Sequence, residues 1–272
     1  NQLILITTGH KQALYSLLNC AAIYKAPTTL PKPYTFQLAT AKLESYSVDS
    51  TIKHFQMKIE SIHVGKPKAF QDETLSAISK QAVQGLIRLN KENLVGDQQA
   101  DLSVHGGLDK AVYAYPQQHY AHWQQRIGLL RRPRIQLPNQ PQGAFGENLC
   151  LSGADEHSVL IGDTFQCGEA ILQVTQPRQP CWKLGHKFKQ KRLPNWIIGS
   201  GYTGWYLRVL QEGEIAAGMQ LEKIESGCSL WSVSRCNQLF YARGLRRADL
   251  VSILQCDALS KVWHDDFTKR LA

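Results

Sequence analysis

A change of rhythm constrains this chain more than any other feature. From Met57 to Ser226, short apolar runs with period-two character recur between glycine turns, beginning with Lys58-Ile59-Glu60-Ser61-Ile62-His63-Val64. Beyond Ser226 the apolar residues space out as on a helix face: Leu259, Val262, Trp263, Phe267 and Leu271 share one side. Strand side chains change face at every residue, whereas helix side chains return to one face every 3.6 residues. The two rhythms therefore predict a mainly β (α+β) protein: a β-rich body over 57–226 and a small three-helix domain over 227–272.

Within the body, Ala77–Ala82, Gly85–Leu89, Val112–Tyr115, Val159–Ile161 and Leu207–Leu210 read as short strands. Thr164–Cys167 and Ala170–Gln176 face each other across Gly168-Glu169 as a hairpin. Gly213-Glu214 reads as a further turn. Pro116 suits a first helical position, and Tyr120, Trp123 and Ile127 follow at helical spacing. Arg131–Gly143 is a Pro- and Gln-rich loop. The tail helices are expected at Val233–Tyr241, at Ala248–Leu254 and along the Leu259–Leu271 face.

Residues 1–56 differ from the rest: they contain neither Arg nor Trp and include the linker-like Thr28–Pro33. Their apolar stretch Leu14–Tyr24 is short and broken by Asn19, which makes a poor leader. They are expected to be an extension outside the native fold, with folding beginning at Met57.

Charge decides which partners to consider. The net charge of +9 divides into +3 over 1–56, +3 over 57–226 and +3 over 227–272. So even a spread argues against a dedicated nucleic-acid face. One run departs from it. Arg178, Lys183, Lys187, Lys189, Lys191 and Arg192 follow one another with no acid between them, and Cys181 sits inside the run. No stretch is long and apolar enough for a membrane span. Seven cysteines in 272 residues do not make a disulfide scaffold, and no Cys-x-x-Cys pair suggests a zinc ribbon or iron–sulfur cluster. The expected location is the cytoplasm.

Four stretches carry candidate chemistry. His105-Gly106-Gly107-Leu108-Asp109-Lys110 offers a double glycine whose amides can cradle an anion, with His105 and Lys110 as added donors. Phe145-Gly146-Glu147-Asn148 presents an amide able to read a heterocycle edge. Gln176-Pro177-Arg178-Gln179-Pro180-Cys181-Trp182-Lys183 stiffens a loop around one cysteine and flanks it with cations, which favour the thiolate, a nucleophile and soft-metal ligand. Gly199–Tyr206 is rich in glycine and aromatics and suits a pocket wall. Each stretch also has a plainer reading: a tight hairpin, a glycine turn, an ordinary cysteine, a flexible connection. The remaining cysteines (Cys20, Cys150, Cys167, Cys228, Cys236, Cys256) lack such surroundings and read as structural.

Taken in order, these stretches resemble the MOSC-domain proteins. His105-Gly106-Gly107-x-Asp109-Lys110 comes first, then Tyr115-Pro116 with His119-Tyr120-x-x-Trp123, then Phe145–Leu149. Gly162-Asp163-x-Phe165 and Gln176-Pro177-Arg178-x-Pro180-Cys181-x-Lys183-Leu184 complete the series. The resemblance covers roughly 57–226 and is nearest to the bacterial YiiM subgroup, whose three-helix extension the tail resembles. It implies a β-barrel body that binds the molybdenum cofactor, a molybdopterin, with Cys181 as the molybdenum ligand. It also implies reduction of N-hydroxylated small molecules such as 6-hydroxylaminopurine, with electrons from a separate reductase.

In that reading Arg178, Lys183, Lys110 and the His105–Gly107 turn meet the cofactor's anionic groups, and Asp109 belongs to the same turn. Asn148 reads the pterin, and His105 is the proton donor. The alternative is a cofactor or sulfur carrier that uses Cys181 without turning over substrate. A basic nucleic-acid-binding module is disfavoured by the charge spread.

Overall fold

The computed structural model describes residues 56–71, 74–101, 106–128 and 142–272. The expectations for 1–55, for His105 and for most of the Arg131–Gly143 loop lie outside them. The chain opens with strands β1 (Met57–Val64), β2 (Lys68–Gln71), β3 (Thr74–Ser76), β4 (Gln81–Val83) and β5 (Ile87–Leu89). A 3-10 turn over Leu108–Lys110 precedes β6 (Val112–Pro116), α1 (His119–Gly128), β7 (Leu149–Ser152), β8 (Thr164–Cys167) and β9 (Ala170–Pro177). Then come α2 (Trp182–Lys187), α3 (Leu193–Ser200), β10 (Trp205–Gln211), β11 (Gly213–Ile215) and β12 (Gln220–Glu225). The tail holds α4 (Val233–Tyr241), α5 (Arg247–Leu254) and α6 (Lys261–Leu271).

Seven strands close into a barrel in the order β1-β12-β8-β9-β10-β6-β7, with β7 returning to β1 and β4 added along β1. Closure is made where Met57 faces Leu221 and Lys58 faces Gln220. All neighbours run antiparallel except β6 and β7, whose connection passes through α1. A parallel pair needs such a crossover. Met57, Ile59, Leu149, Leu151, Phe165, Leu172, Val174 and Leu207 fill the barrel, and the same core runs on into Trp231, Val233, Ile253, Trp263 and Phe267 of the tail. A second core lies beside the barrel: Tyr115, Tyr120, Trp123 and Phe145 pack with Leu184, Phe188, Leu193 and Ile197. It seats α2 and α3 on the barrel, and with them the loop that carries Cys181.

The tail helices match the apolar spacing, and their starts have a local cause. Ser232 accepts a hydrogen bond from the Arg235 amide and Ser260 from the Trp263 amide, capping α4 and α6. Cys228 and Cys256, read from sequence as merely structural, form a disulfide with Cα atoms 6.0 Å apart, between the end of β12 and the turn after α5.

Four sequence expectations shift. The Ala77–Ala82 run is a strand only from Gln81, because 77–80 turns to line a pocket. Val159–Ile161 makes one isolated bridge, Leu160 to Ser232, in place of a strand. Gly213-Glu214 is not a turn but the start of β11, paired with β5. Pro116 ends β6 rather than opening α1. Helices α2 and α3 were not anticipated: each is short, and each draws its stability from the second core rather than from local propensity.

Candidate functional site

One cleft gathers most of the candidate stretches. Gly106 and Lys110 line it from the 3-10 turn, Asn148 from the start of β7, and Arg178, Cys181 and Lys183 from the loop after β9. Ser76–Ile78, Lys80 and Asp97 form the facing rim. The cleft encloses about 640 Å³ of empty space, part of it open solvent.

The double glycine behaves as its chemistry predicts. Gly106 and Gly107 have φ of 88° and 80°, a region that favours glycine. Only Gly106 reaches the cleft. Asp109 turns away from it. Its carboxylate pairs with Arg208 at 2.9 Å and accepts the Lys261 amide at 2.9 Å. Lys110 does line the cleft, and burial lowers its pKa, partly opposed by Asp109.

Asn148 is buried, and both its N–H donors are committed. Its Oδ1 accepts the Tyr113 amide at 3.1 Å, and its Nδ2 donates to the His63 carbonyl at 3.2 Å and to Asp97 Oδ2 at 2.9 Å. An amide has two N–H donors, and both are spent. Asn148 therefore holds Asp97 rather than offering a free edge.

Asp97 also accepts the Gly65 amide at 2.7 Å and forms an ion pair with Lys80. Both side chains are nearly sealed from solvent, at 2% and 8% exposure. Burial lowers the Lys80 pKa and Asp97 opposes that shift. Sequence reasoning missed this pair. Its partners lie 17 positions apart with no local pattern between them, so only the fold reveals it.

Arg178 is the most tightly placed cation. It is 6% exposed, its guanidinium lies 5.3 Å from the Tyr113 ring centre, and it hydrogen-bonds the Tyr206 side chain. Burial raises the pKa of both tyrosines. The Arg178 amide donates to the Gly204 carbonyl at 3.1 Å, so the glycine-rich stretch after α3 acts as a strut. Gly204 has φ 64°, and a Cβ there would meet the Ala114 carbonyl oxygen at 2.3 Å. Its amide donates to Glu156, which also binds His119, each at 2.7 Å, and His119 stacks on Tyr202 at 4.0 Å.

Cys181 stands between these cations at the N-cap of α2, half-buried and lining the cleft. Lys183 lines it too, and its Nζ donates to the Leu75 carbonyl at 3.1 Å. The other free cysteines among the described residues, Cys150, Cys167 and Cys236, are buried, and burial pushes their thiols up.

Residues 101–222 match the MOSC domain, and residues 231–272 match the YiiM-like, 3-alpha helix domain. This chain belongs to the MOSC family, in its YiiM-like form. MOSC domains are associated with molybdenum cofactor binding. The uncharacterized protein YflK of Bacillus subtilis is 39% identical over 222 residues, which are 80% of this chain and 96% of YflK. The crystal structure of YiiM from Geobacillus stearothermophilus superposes with a TM-score of 0.65 at 38% identity, covering 79% of this chain and all of that one (100%). A protein named "Reductase" from Gibberella moniliformis is 34% identical over 185 residues, 66% of this MOSC chain but 31% of the longer relative. Among the described residues no helix is long and apolar enough to cross a membrane.

The cleft's donor set suits the family's cofactor. A molybdopterin carries an anionic phosphate and an anionic dithiolene, and Lys80, Lys110, Arg178 and Lys183 converge on the cleft. Its single lining carboxylate, Asp97, is already matched by Lys80. A half-buried thiol is the soft ligand that a sulfur-rich metal site takes.

Proposed function

We propose that this chain is a molybdenum cofactor-dependent oxidoreductase that reduces N-hydroxylated compounds, such as 6-hydroxylaminopurine, to amines. The observation that carries the reading is Cys181, held half-buried in a cleft whose other charged lining groups are mainly cations. The MOSC-domain match and the relative named "Reductase" support it.

When bound, the cofactor would supply the two-electron chemistry that removes the N–OH oxygen. The rest falls to the protein. Cys181 would be the ligand to molybdenum. Arg178, held by Tyr113 and Tyr206, would bind the cofactor's anionic end, with Lys183 and Lys110 beside it. Asn148 would act through Asp97, keeping the Lys80 ammonium in place. His105, which precedes Gly106 in the sequence, would be the proton donor. The balance is R–NHOH plus two electrons and two protons giving R–NH2 and water. A separate reductase would supply the electrons.

The test uses protein made in a cofactor-competent host, assayed for molybdenum and pterin, then for 6-hydroxylaminopurine reduction with a chemical reductant. Turnover that Cys181→Ser abolishes, in a protein that stays folded, is the expected result. Full cofactor loading with no turnover, and transfer of the cofactor to an acceptor enzyme, would replace this reading with the carrier.

A further inference from the structure

The three-helix domain contributes no described residue to the cleft lining, yet it is bonded to two of the stretches that line it, the turn of Lys110 and the loop of Cys181. At the first, Asp109 lies in the turn that carries Lys110. Its carboxylate accepts the Lys261 amide at the start of α6 and pairs with Arg208, each at 2.9 Å. Arg208 in turn donates to the Ala258 carbonyl at 3.0 Å. Thr175 joins the same knot. Its hydroxyl donates to the Asp109 carbonyl at 2.7 Å, and its own carbonyl accepts the Ser260 amide at 3.2 Å. At the second, the Trp263 indole N–H donates to Gln179 Oε1 at 3.3 Å, and the Tyr241 side chain hydrogen-bonds Gln179 as well. Gln179 sits between Arg178 and Cys181, in a segment that Pro177 and Pro180 stiffen. Proline fixes its own φ, so a hold on Gln179 is passed to its neighbours rather than absorbed by backbone rotation.

We propose that the segment Ala258–Trp263 is a clamp that holds these two stretches of the cleft wall in register. Gln179, Trp263 and Asp109 are then positioning residues for Cys181, Arg178 and Lys110. This assigns the helical domain a part in the site that its absence from the lining conceals. The sequence places Asp109 among the cofactor contacts, whereas its bonds place it in the clamp.

The test reads the thiol environment and needs no cofactor or activity. Cys181 in the full-length protein is alkylated with neutral iodoacetamide or anionic iodoacetate, and its peptide is quantified by mass spectrometry across a pH series. The ratio of anionic to neutral rates reports how closely the cations surround the thiol. Gln179→Ala changes an exposed residue, and Trp263→Phe keeps the ring stacked on Phe240 (4.1 Å) while deleting the donor. Each is expected to lower the ratio by roughly threefold to tenfold, the range that one hydrogen bond controls. The double variant should match Gln179→Ala, because the bond that Trp263→Phe deletes is already lost there together with the Tyr241 bond. Thr175→Val, which deletes the hydroxyl bonded to the Asp109 carbonyl without changing charge, should lower the ratio from the other stretch. Asp265→Asn, which alters only an exposed ion pair on α6, should leave it unchanged. A ratio and pH profile unmoved in folded Gln179→Ala and Trp263→Phe, or effects of the two that simply add, would overturn the clamp.

Discussion

Asp97→Asn is the sharpest probe of how the cleft is built. The substitution keeps shape and removes one charge. It leaves the Lys80 ammonium, 8% exposed, without its anion. It also places an N–H₂ group where three donors now converge: the Gly65 amide, Lys80 and Asn148 Nδ2. Breaking one partner of a buried ion pair costs about 3–5 kcal/mol. For a chain of this size that is a fall in Tm of roughly 6–20 °C. The cost should depend on pH with a definite sign. Burial already depresses the Lys80 pKa, and losing Asp97 removes most of what opposes that shift, leaving only the more distant Glu147. Between the depressed folded value and the ordinary one near ~10.4, the unfolded chain binds more protons, so stability rises with pH. Urea titrations at pH 7 and pH 9.5 should therefore show a large deficit that narrows at the higher pH. Adding Lys80→Met should recover most of it, since an apolar side chain leaves no buried charge. A deficit below ~1 kcal/mol at pH 7, or one that ignores pH and Lys80→Met, would refute the account.

Two further outcomes follow from the same geometry. Arg178→Ala should lower cofactor content, with affinity weakened roughly 10- to 100-fold by loss of a charge-assisted bond, read as molybdenum and pterin per chain. Acidification should destabilise the protein through His63. Burial and the nearby Lys80 lower its pKa from 6.5 to about 4. The unfolded chain then binds more protons between those values, so stability falls as pH drops from 6.5 to 4, by about 3 kcal/mol in all. His63→Gln should flatten that slope in chemical denaturation, and an unchanged slope would remove His63 as its source.

Much of the fold was legible because it rests on periodicity. Thr164–Cys167 and Ala170–Pro177 pair as the alternation and the Gly168-Glu169 turn imply, and Val233–Tyr241 is helical as its spacing implies. Helices α2 and α3 were not legible, because the second core that sustains them is assembled from β6, α1 and the loop before β7. The same boundary divides the site. The Pro-Cys loop could be read locally, since two prolines, flanking cations and one thiol lie within a few residues. Lys80 and Asp97 could not, since their relation exists only in the folded barrel.

Asn148 and Asp109 show why a polar residue beside a glycine turn is an ambiguous signal. Each looks from sequence like a group offered to a ligand. In the fold each already holds protein partners: Asn148 holds Tyr113, His63 and Asp97, and Asp109 holds Arg208 and Lys261. A buried polar group such as Asn148 must be satisfied, and its two N–H donors are used up in doing so. Both are thus tied to protein partners within the fold, Asn148 to Asp97 and Asp109 to Arg208 and Lys261. The cations keep a different status. Lys183 has given one N–H to Leu75, and an ammonium carries three. Arg178 is braced by a ring face and a tyrosine side chain, and no acid among the described residues forms a salt bridge with it. Its charge is fixed in position and left unneutralised by a carboxylate, at the mouth of the loop that presents Cys181. That combination is costly in a merely structural residue and useful in one that awaits an anion.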